Sequence, residues 1–567
     1  MEYLDFKTAK CKNCYRCLRE CPVKAIKYED HQAKIIVDRC ILCGTCTAVC
    51  PQNAKKVHSE LESVEALLKS GQTVIASVAP SFVSSFGVQD FSVMKIALAK
   101  LGFADAEETA VGANAVTKEY ANILKTGEYK NFITSACPAI NRMIQIYYPN
   151  ALKYLAPVAS PMVAHARLIR SANPNVKIVF IGPCIAKKKE AADSGIIDAV
   201  LTFEDLEQLF SKRGISLNQI AQLEIGANNE EINRAKYYPI SRGIIKSFSS
   251  LPGNYEYVAV DGVKRCFEVL EDIESLSNMF IEVNCCEYSC INGPCSLKRQ
   301  GKALKSNEEI RKYVARDLSR NIYSKKLNTK VIDLAEGHPK IRLNEVVPNE
   351  RTINQILAKT GKFKPEDMIN CGACGYSSCR EKAIAVANGY ADIEMCIPYM
   401  RSRAETMSFE IIQNSPNGII VLDTDYKLLE INNNARAIFG IDDTEIKGKV
   451  AFDMFPADDY VGVAVEGKKV VKKKIFIQNT KKYAELTITL LKEHKIMFGV
   501  YTDITGKVEY NDQLASVKLE TMTTTDDVIK KQMRVAQEIA SLLGETTAET
   551  KIALLKLKKT LQTSDED

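Results

Sequence analysis

Glu282-Val283-Asn284-Cys285-Cys286-Glu287-Tyr288-Ser289-Cys290-Ile291-Asn292-Gly293-Pro294-Cys295 places four cysteines within eleven residues. Reduced cysteine packs as a small hydrophobe, and dense cysteine in a secreted chain reads as disulfides. Here the flanking Glu, Ser, Asn, Gly and Pro are polar and turn-forming, which suits backbone wrapped around a metal group. Two partners lie upstream. Thr134-Ser135-Ala136-Cys137-Pro138 follows the apolar Phe132-Ile133, and Gly182-Pro183-Cys184-Ile185-Ala186-Lys187-Lys188-Lys189-Glu190 follows the strand-like Lys177 to Ile181. Both cysteines stand at strand exits, where open α/β sheets place their ligands. Cys137, Cys184, Cys286 and Cys290 supply four thiolates, the number that binds a cubane iron–sulfur cluster.

Working outward, 567 residues should hold roughly four domains at ~150 residues each. Apolar content of 46% and charged content of 26% are those of a soluble globular protein. A net charge of +6 over this length makes no case for nucleic acid. Met1 to Lys7 has no apolar signal core, and no apolar run reaches the ~18 residues of a membrane span. The expectation is a cytoplasmic protein, in which nineteen cysteines read as metal ligands rather than disulfides.

Residues 1–57 repeat. Cys11, Cys14, Cys17 and Cys21 precede Pro22; Cys40, Cys43, Cys46 and Cys50 precede Pro51. This doubled spacing is the bacterial two-cluster pattern, in which the fourth cysteine serves the other cluster. One set is then Cys11, Cys14, Cys17 and Cys50, the other Cys40, Cys43, Cys46 and Cys21. A module this small needs its metal to fold. A further set, Cys371, Cys374, Cys379 and Cys396, surrounds glycines and the helix-like Arg380 to Asn388. Structural zinc also accepts four cysteines and is the competing reading there. Of the three cysteines left over, Cys266 and Cys295 read as packing residues, and Cys285 is open.

The three central motifs resemble the signatures of the iron-only (diiron) hydrogenases, TSCCP, PCxxKKxE and a closing CxxxC, over residues 60 to 320 or so. The resemblance implies that Cys137, Cys184, Cys286 and Cys290 hold a 4Fe–4S cube. Cys290 would also bridge to a diiron unit carrying CO and cyanide, the whole forming the H-cluster. Lys187 and Ser81 match the residues that hydrogen-bond the cyanides. The chain also departs from the family. Ala136 replaces a proton-relaying cysteine, Gly182 and Asn284 replace methionines, and Thr109 to Asn114 lacks the usual acidic pair. A positioned acid or base is worth about 10²–10⁴ in rate, so slow turnover is expected.

The stretch that carries Cys371 to Cys396 resembles a small Fes-type 4Fe–4S domain. From about 404 the cysteines stop. Asn414-Ser415-Pro416-Asn417-Gly418-Ile419, strands near 426–431, 475–477, 484–491 and 496–501, and Asp503-Ile504-Thr505 resemble a PAS domain. Val528 to Leu543 carries apolar pairs every three or four residues, a coiled-coil-like stripe. Gly544 should end it, and Ile552 to Leu557 should begin another helix.

The expected fold class is multidomain α/β. It comprises a ferredoxin-like two-cluster 4Fe–4S module (1–57), an α/β hydrogenase catalytic domain (58–320) and a small 4Fe–4S domain (321–404). An α+β PAS domain (405–506) and C-terminal helices forming a signalling tail (507–567) follow. The resemblance implies a hydrogenase of sensory type with three accessory 4Fe–4S clusters and an H-cluster. Its partners would be dihydrogen, a redox partner such as ferredoxin, hydrogenase maturation proteins, a signalling phosphatase or kinase, and a second copy in a homodimer. The alternatives are a metabolic ferredoxin-linked hydrogenase and a non-enzymatic iron–sulfur assembly protein without the diiron unit. Lys187, Ser81 and the doubled ferredoxin spacing argue against the latter.

Overall fold

The computed structural model describes residues 3–6, 10–29, 32–222, 234–297, 302–319, 332–343, 345–441, 446–466, 469–543, 552–553 and 555–556. The chain divides into two compact units, Met1–Tyr399 and Met400–Asp567.

At the start of the first unit, the sequence repeat is also a backbone repeat. Strand Leu4–Phe6 pairs antiparallel with Lys55–Val57, and Ile26–Glu29 pairs antiparallel with Gln32–Ile35. Short helices Arg16–Glu20 and Thr45–Val49 end on Cys21 and Cys50. Left-handed φ recurs at three equivalent places: Asn13 and Leu42, Tyr15 and Gly44, Lys24 and Asn53. Only one of these six is glycine. A left-handed L-residue costs roughly 1–2 kcal/mol and persists where its surroundings over-determine it. A loop that must wrap its N–H groups around a centre imposes this at unlike residues.

The α/β region carries two parallel sheets. The first runs Asp105–Glu108, Val74–Val78, Lys177–Gly182, Ala199–Thr202. The second runs Glu256–Asp261, Met279–Asn284, Asn131–Ile133. Val74–Val78 is buried at every position and Lys177–Gly182 at all but its first, as parallel strands covered on both faces must be. Among the helices that accompany these sheets are Phe91–Leu101, Ala110–Thr126 and Pro161–Ala172. The first is bounded by its residues: Asp90 accepts the Ser92 N–H at 2.9 Å, and Gly102 turns out at φ +107°.

Helix Cys379–Ala387, capped by Ser378, falls where Arg380 to Asn388 was expected. Helix Ile397–Gln413 runs unbroken through the expected boundary at 404.

In the second unit, five antiparallel strands stand in the order Leu428–Ile431, Gly418–Asp423, Ile496–Asp503, Lys482–Leu491, Val470–Ile477. Helix Asp458–Glu466 sends Tyr460 into the core, where its hydroxyl accepts from that of Tyr501 at 3.1 Å. Gly499 makes the room, since a Cβ there would collide with the Tyr460 ring and hydroxyl. The tail is one 39-residue helix, Thr505–Leu543. Its exposed apolar residues begin earlier than Val528: Tyr510, Leu514, Val517, Val528 and Val535 follow a heptad spacing bridged by Thr521 and Thr524, with Leu519 and Ile539 off that register. Gly544, Leu554 and Leu557 lie outside the described residues.

Candidate metal centre

The C-terminal ends of both parallel sheets carry the predicted site residues. Ser81 follows Val74–Val78, Cys184 follows Lys177–Gly182, Cys137 follows Asn131–Ile133, and Cys286 follows Met279–Asn284. Cys290 lies in the one-turn helix Ser289–Asn292. Between Cys286 and Cys290 both Tyr288 and Ser289 are left-handed, at φ +62° and +64°. Two such non-glycine residues in succession mark a loop wound tighter than its sequence prefers. A Cβ on Gly293 would come within 2.7 Å of the Pro183 carbonyl, so the Cys184 and Cys290 loops lie against each other.

Cys137, Cys184 and Cys290 are near enough to feel one another's charge. Burial first, then the neighbouring Cys137, pushes the Cys184 thiol up to about 11 and the Cys290 thiol to about 12. Lys187 opposes the rise at all three sulfurs. Its ammonium donates to Glu190 Oε2 at 2.6 Å, Ser160 Oγ at 2.9 Å and the Ala136 carbonyl at 3.4 Å. Lys188, its neighbour in the motif, points elsewhere, donating to the Val200 carbonyl at 2.6 Å and to Glu60 Oε1 at 3.2 Å. The Ser81 hydroxyl is buried with no hydrogen-bond partner among the described residues. An orphaned buried hydroxyl costs about 1–3 kcal/mol and fits a site whose ligand carries an acceptor.

Two features escaped the sequence reading. Glu282, the only acid in strand Met279–Asn284, is fully buried and accepts the N–H groups of Gly243 and Ile245 at 3.0 Å each. Burial pushes its carboxyl up to about 8 against those donors, with Asp261 adding to the rise. A lone carboxylate inside an apolar strand was the available signal. The other is Asn284, which donates to Asp261 Oδ1 at 3.1 Å and so ties the ends of two strands just before the cysteines. Cys266 packs as expected, its thiol donating to the Val260 and Asn284 carbonyls. Cys295 is likewise buried.

In the repeat, Cys21, Cys40, Cys43 and Cys46 line one small cavity, the crossed set expected from the two-cluster spacing. Cys11, Cys14 and Cys17 form a second neighbourhood, to which Lys55 donates at Cys17 over 3.4 Å. The fourth cysteines are held alike, Cys21 accepting the Ala25 N–H at 3.2 Å and Cys50 that of Ala54 at 3.3 Å. In the third set, Lys382 senses Cys374 and Cys396, and Lys362 donates to Cys396 at 3.4 Å; Cys371 is exposed and Cys379 begins the helix. Lys24 lies near both Cys21 and Cys374, and Gly375, at φ +94°, abuts Leu18 and Arg19. Among the described residues, no three His, Cys, Asp or Glu side chains are gathered to hold a single metal ion.

The chain is similar to known proteins along most of its length. Residues 4–65 match the family described as 4Fe-4S dicluster domain, and 72–294 match iron only hydrogenase large subunit, C-terminal domain. Residues 367–398 match a family of Fe-S cluster domains, and 412–488 the PAS fold. The periplasmic Fe hydrogenase large subunit of Nitratidesulfovibrio vulgaris is 30% identical over 301 residues, 47% of this chain and 70% of that protein. Iron hydrogenase 1 of Clostridium pasteurianum is 25% identical over 377 residues, 52% of this chain and 66% of that one. A solved FeFe-hydrogenase of Chlamydomonas reinhardtii aligns at 17% identity over 50% of this chain and 99% of its own, with a TM-score of 0.39.

Proposed function

The chain belongs to the iron-only hydrogenase family, and from that membership we propose that it activates dihydrogen reversibly, at low turnover, as a cytoplasmic hydrogen sensor. Cys137, Cys184, Cys286 and Cys290 would hold the cube of the H-cluster, with Cys290 also bridging to the diiron unit. When bound, that unit supplies the open metal position at which dihydrogen is split. Lys187 and Ser81 would donate hydrogen bonds to its cyanides, the lysine held in place by Glu190 and Ser160.

The observation that carries this reading is the convergence of Cys137, Cys184, Cys290 and the Lys187 ammonium at the ends of strands from two sheets, beside the unpartnered Ser81 hydroxyl. Three accessory 4Fe–4S clusters would form the electron path. The first takes Cys371, Cys374, Cys379 and Cys396; the second takes Cys11, Cys14, Cys17 and Cys50. The third, nearest the active site, takes Cys21, Cys40, Cys43 and Cys46.

Slow turnover is supported by Ala136 and by the helix behind it. The buried residues of Ala110–Thr126 are Ala110, Gly112, Ala113, Val116, Thr117, Tyr120 and Leu124, with no carboxylate among them. The PAS domain and tail would carry the redox state to a homodimer interface and thence to a phosphatase or kinase. A ferredoxin and the hydrogenase maturation proteins complete the expected partners.

Infrared spectroscopy of anaerobically matured protein tests the core of the proposal. CO and cyanide stretches should appear in the wild type and vanish in Cys290→Ser, with about 18 irons per chain in the wild type, four cubes and a pair. Wild-type protein lacking those bands would be an iron–sulfur protein without the diiron unit. Turnover as fast as that of metabolic hydrogenases would remove the sensory reading.

A further inference from the structure

A cavity of about 300 Å³ lies against the Lys187–Glu190 pair. Its lining includes Ser160 and Glu190, the two side chains that hold the Lys187 ammonium, at 2.9 Å and 2.6 Å. Asn141 lines it too, buried, with its Oδ1 lacking a hydrogen-bond partner among the described residues. At its exposed margin stand Asp193, Gly337 and Pro339. One wall is Ile41 and Leu42 of the two-cluster module. That wall is seated by Gly44, left-handed at φ +73°, whose Cα faces Pro294 and Ile185. No described cysteine lines the cavity, so it is a space apart from the thiols. It has room for on the order of ten waters, and polar walls with a buried unpaired acceptor are what hold water in a cavity.

We infer that Glu190 is a proton relay between Lys187 and water in this cavity, the route by which protons leave the site when dihydrogen is split. The inference rests on the hydrogenase reading above. At 2.6 Å the pair is within the reach over which a positioned acid and base exchange a proton. Lys187 Nζ gives one proton to Glu190 Oε2 and becomes an amine. The amine takes up the proton released at the site, and the Glu190 carboxyl passes its own to cavity water and out past Asp193. The electrons leave separately, by the clusters. This route stands where the family's usual one is incomplete, with Ala136 in place of a cysteine and no carboxylate among the buried residues of helix Ala110–Thr126. It also accounts for slow turnover, because each passage requires the ammonium to be neutral for a moment.

The test uses the full-length, matured protein and begins with a readout other than turnover. Infrared difference spectra between oxidised and reduced protein should contain a carboxylic-acid C=O band that is missing in Glu190→Gln, which keeps the shape of the side chain. The same band in both proteins, or in neither, overturns the inference. In Glu190→Ala, hydrogen uptake should fall about 10²-fold. Small carboxylic acids added to that variant should restore part of it, in an order that follows their pKa values. Rescue that follows the size of the anion and not its pKa would mean that Glu190 only positions Lys187, and it too overturns the relay. Wild-type protein without CO and cyanide stretches lacks the diiron unit; that outcome fails the hydrogenase reading itself and is seen before any variant is measured.

Discussion

The Lys187 ammonium and the Glu190 carboxylate, three residues apart in helix Ala186–Ser194, form a contact of 2.6 Å with both side chains largely withdrawn from solvent. The pair holds the cation toward Cys137, Cys184 and Cys290 rather than letting it snorkel outward. Breaking a buried pair by removing one partner is costly because a charge is left alone. In Glu190→Gln the ammonium keeps Ser160 but loses its carboxylate. Hydrogen uptake should fall by about 10²-fold, the penalty of misplacing a positioned group, while the cube's resonance signal stays. Wild-type uptake in that variant would show that Glu190 does not position Lys187.

Ala136→Cys restores the residue type that the family uses to relay protons. Because the buried residues of helix Ala110–Thr126 include no acid to follow it, the substitution should raise turnover by less than about tenfold, short of the 10²–10⁴ of a complete relay. A gain at the upper end of that range would mean that another group completes the path.

Glu282 gives the protein a pH dependence with a definite sign. Its carboxyl is pushed up to about 8 by burial, above its unfolded value near 4.3. The folded state then holds a proton that the unfolded state has released. The contribution is full below about pH 4.3 and is lost progressively as pH rises toward about 8. Glu282→Gln carries no titrating group and should flatten this part of the curve, whatever it does to absolute stability. Denaturant midpoints measured anaerobically from pH 5 to 8.5 would show it. Parallel curves for the two proteins would place the titration elsewhere.

Ile539→Asp puts a charge into the apolar stripe of helix Thr505–Leu543. A helix face exposing Tyr510, Leu514, Val517, Val528 and Val535 at heptad spacing, with Ile539 one turn beyond Val535 at its margin, is that of a coiled coil lacking its partner. Burying an unpaired carboxylate there costs several kcal/mol. Sedimentation should report a wild-type dimer and a mutant monomer, with hydrogen uptake unchanged because every proposed ligand precedes residue 400. Lost uptake with intact assembly would contradict that division of labour.

Much of this was legible because metal chemistry writes itself into spacing. A cube needs thiolates at set intervals, so the doubled repeat reads as a two-cluster pattern, and the structure brings Cys21 to the cavity lined by Cys40, Cys43 and Cys46. The parallel strands Val74–Val78 and Lys177–Gly182 read as apolar runs because both faces are covered. The division into two sheets was not legible, since which strands pair is decided by contacts far apart in the chain. The motif singled out Lys187, but where its neighbour Lys188 points was not legible. Adjacent residues in a helix point about 100° apart, and only the fold shows that one faces the thiols and the other Glu60 and Val200.

The seat of Gly44 on Pro294 and Ile185 bears on whether the parts of this protein are interchangeable. Electron-donating modules of this kind look portable, a short stretch that could be cut from one enzyme and grafted onto another. Here the graft would have to bring a glycine to that one position, because any side chain would press into Pro294 and would occupy a left-handed backbone besides. The junction works as a lock with a single-residue key, and a module with any side chain at that position would press against Pro294 instead of seating on it.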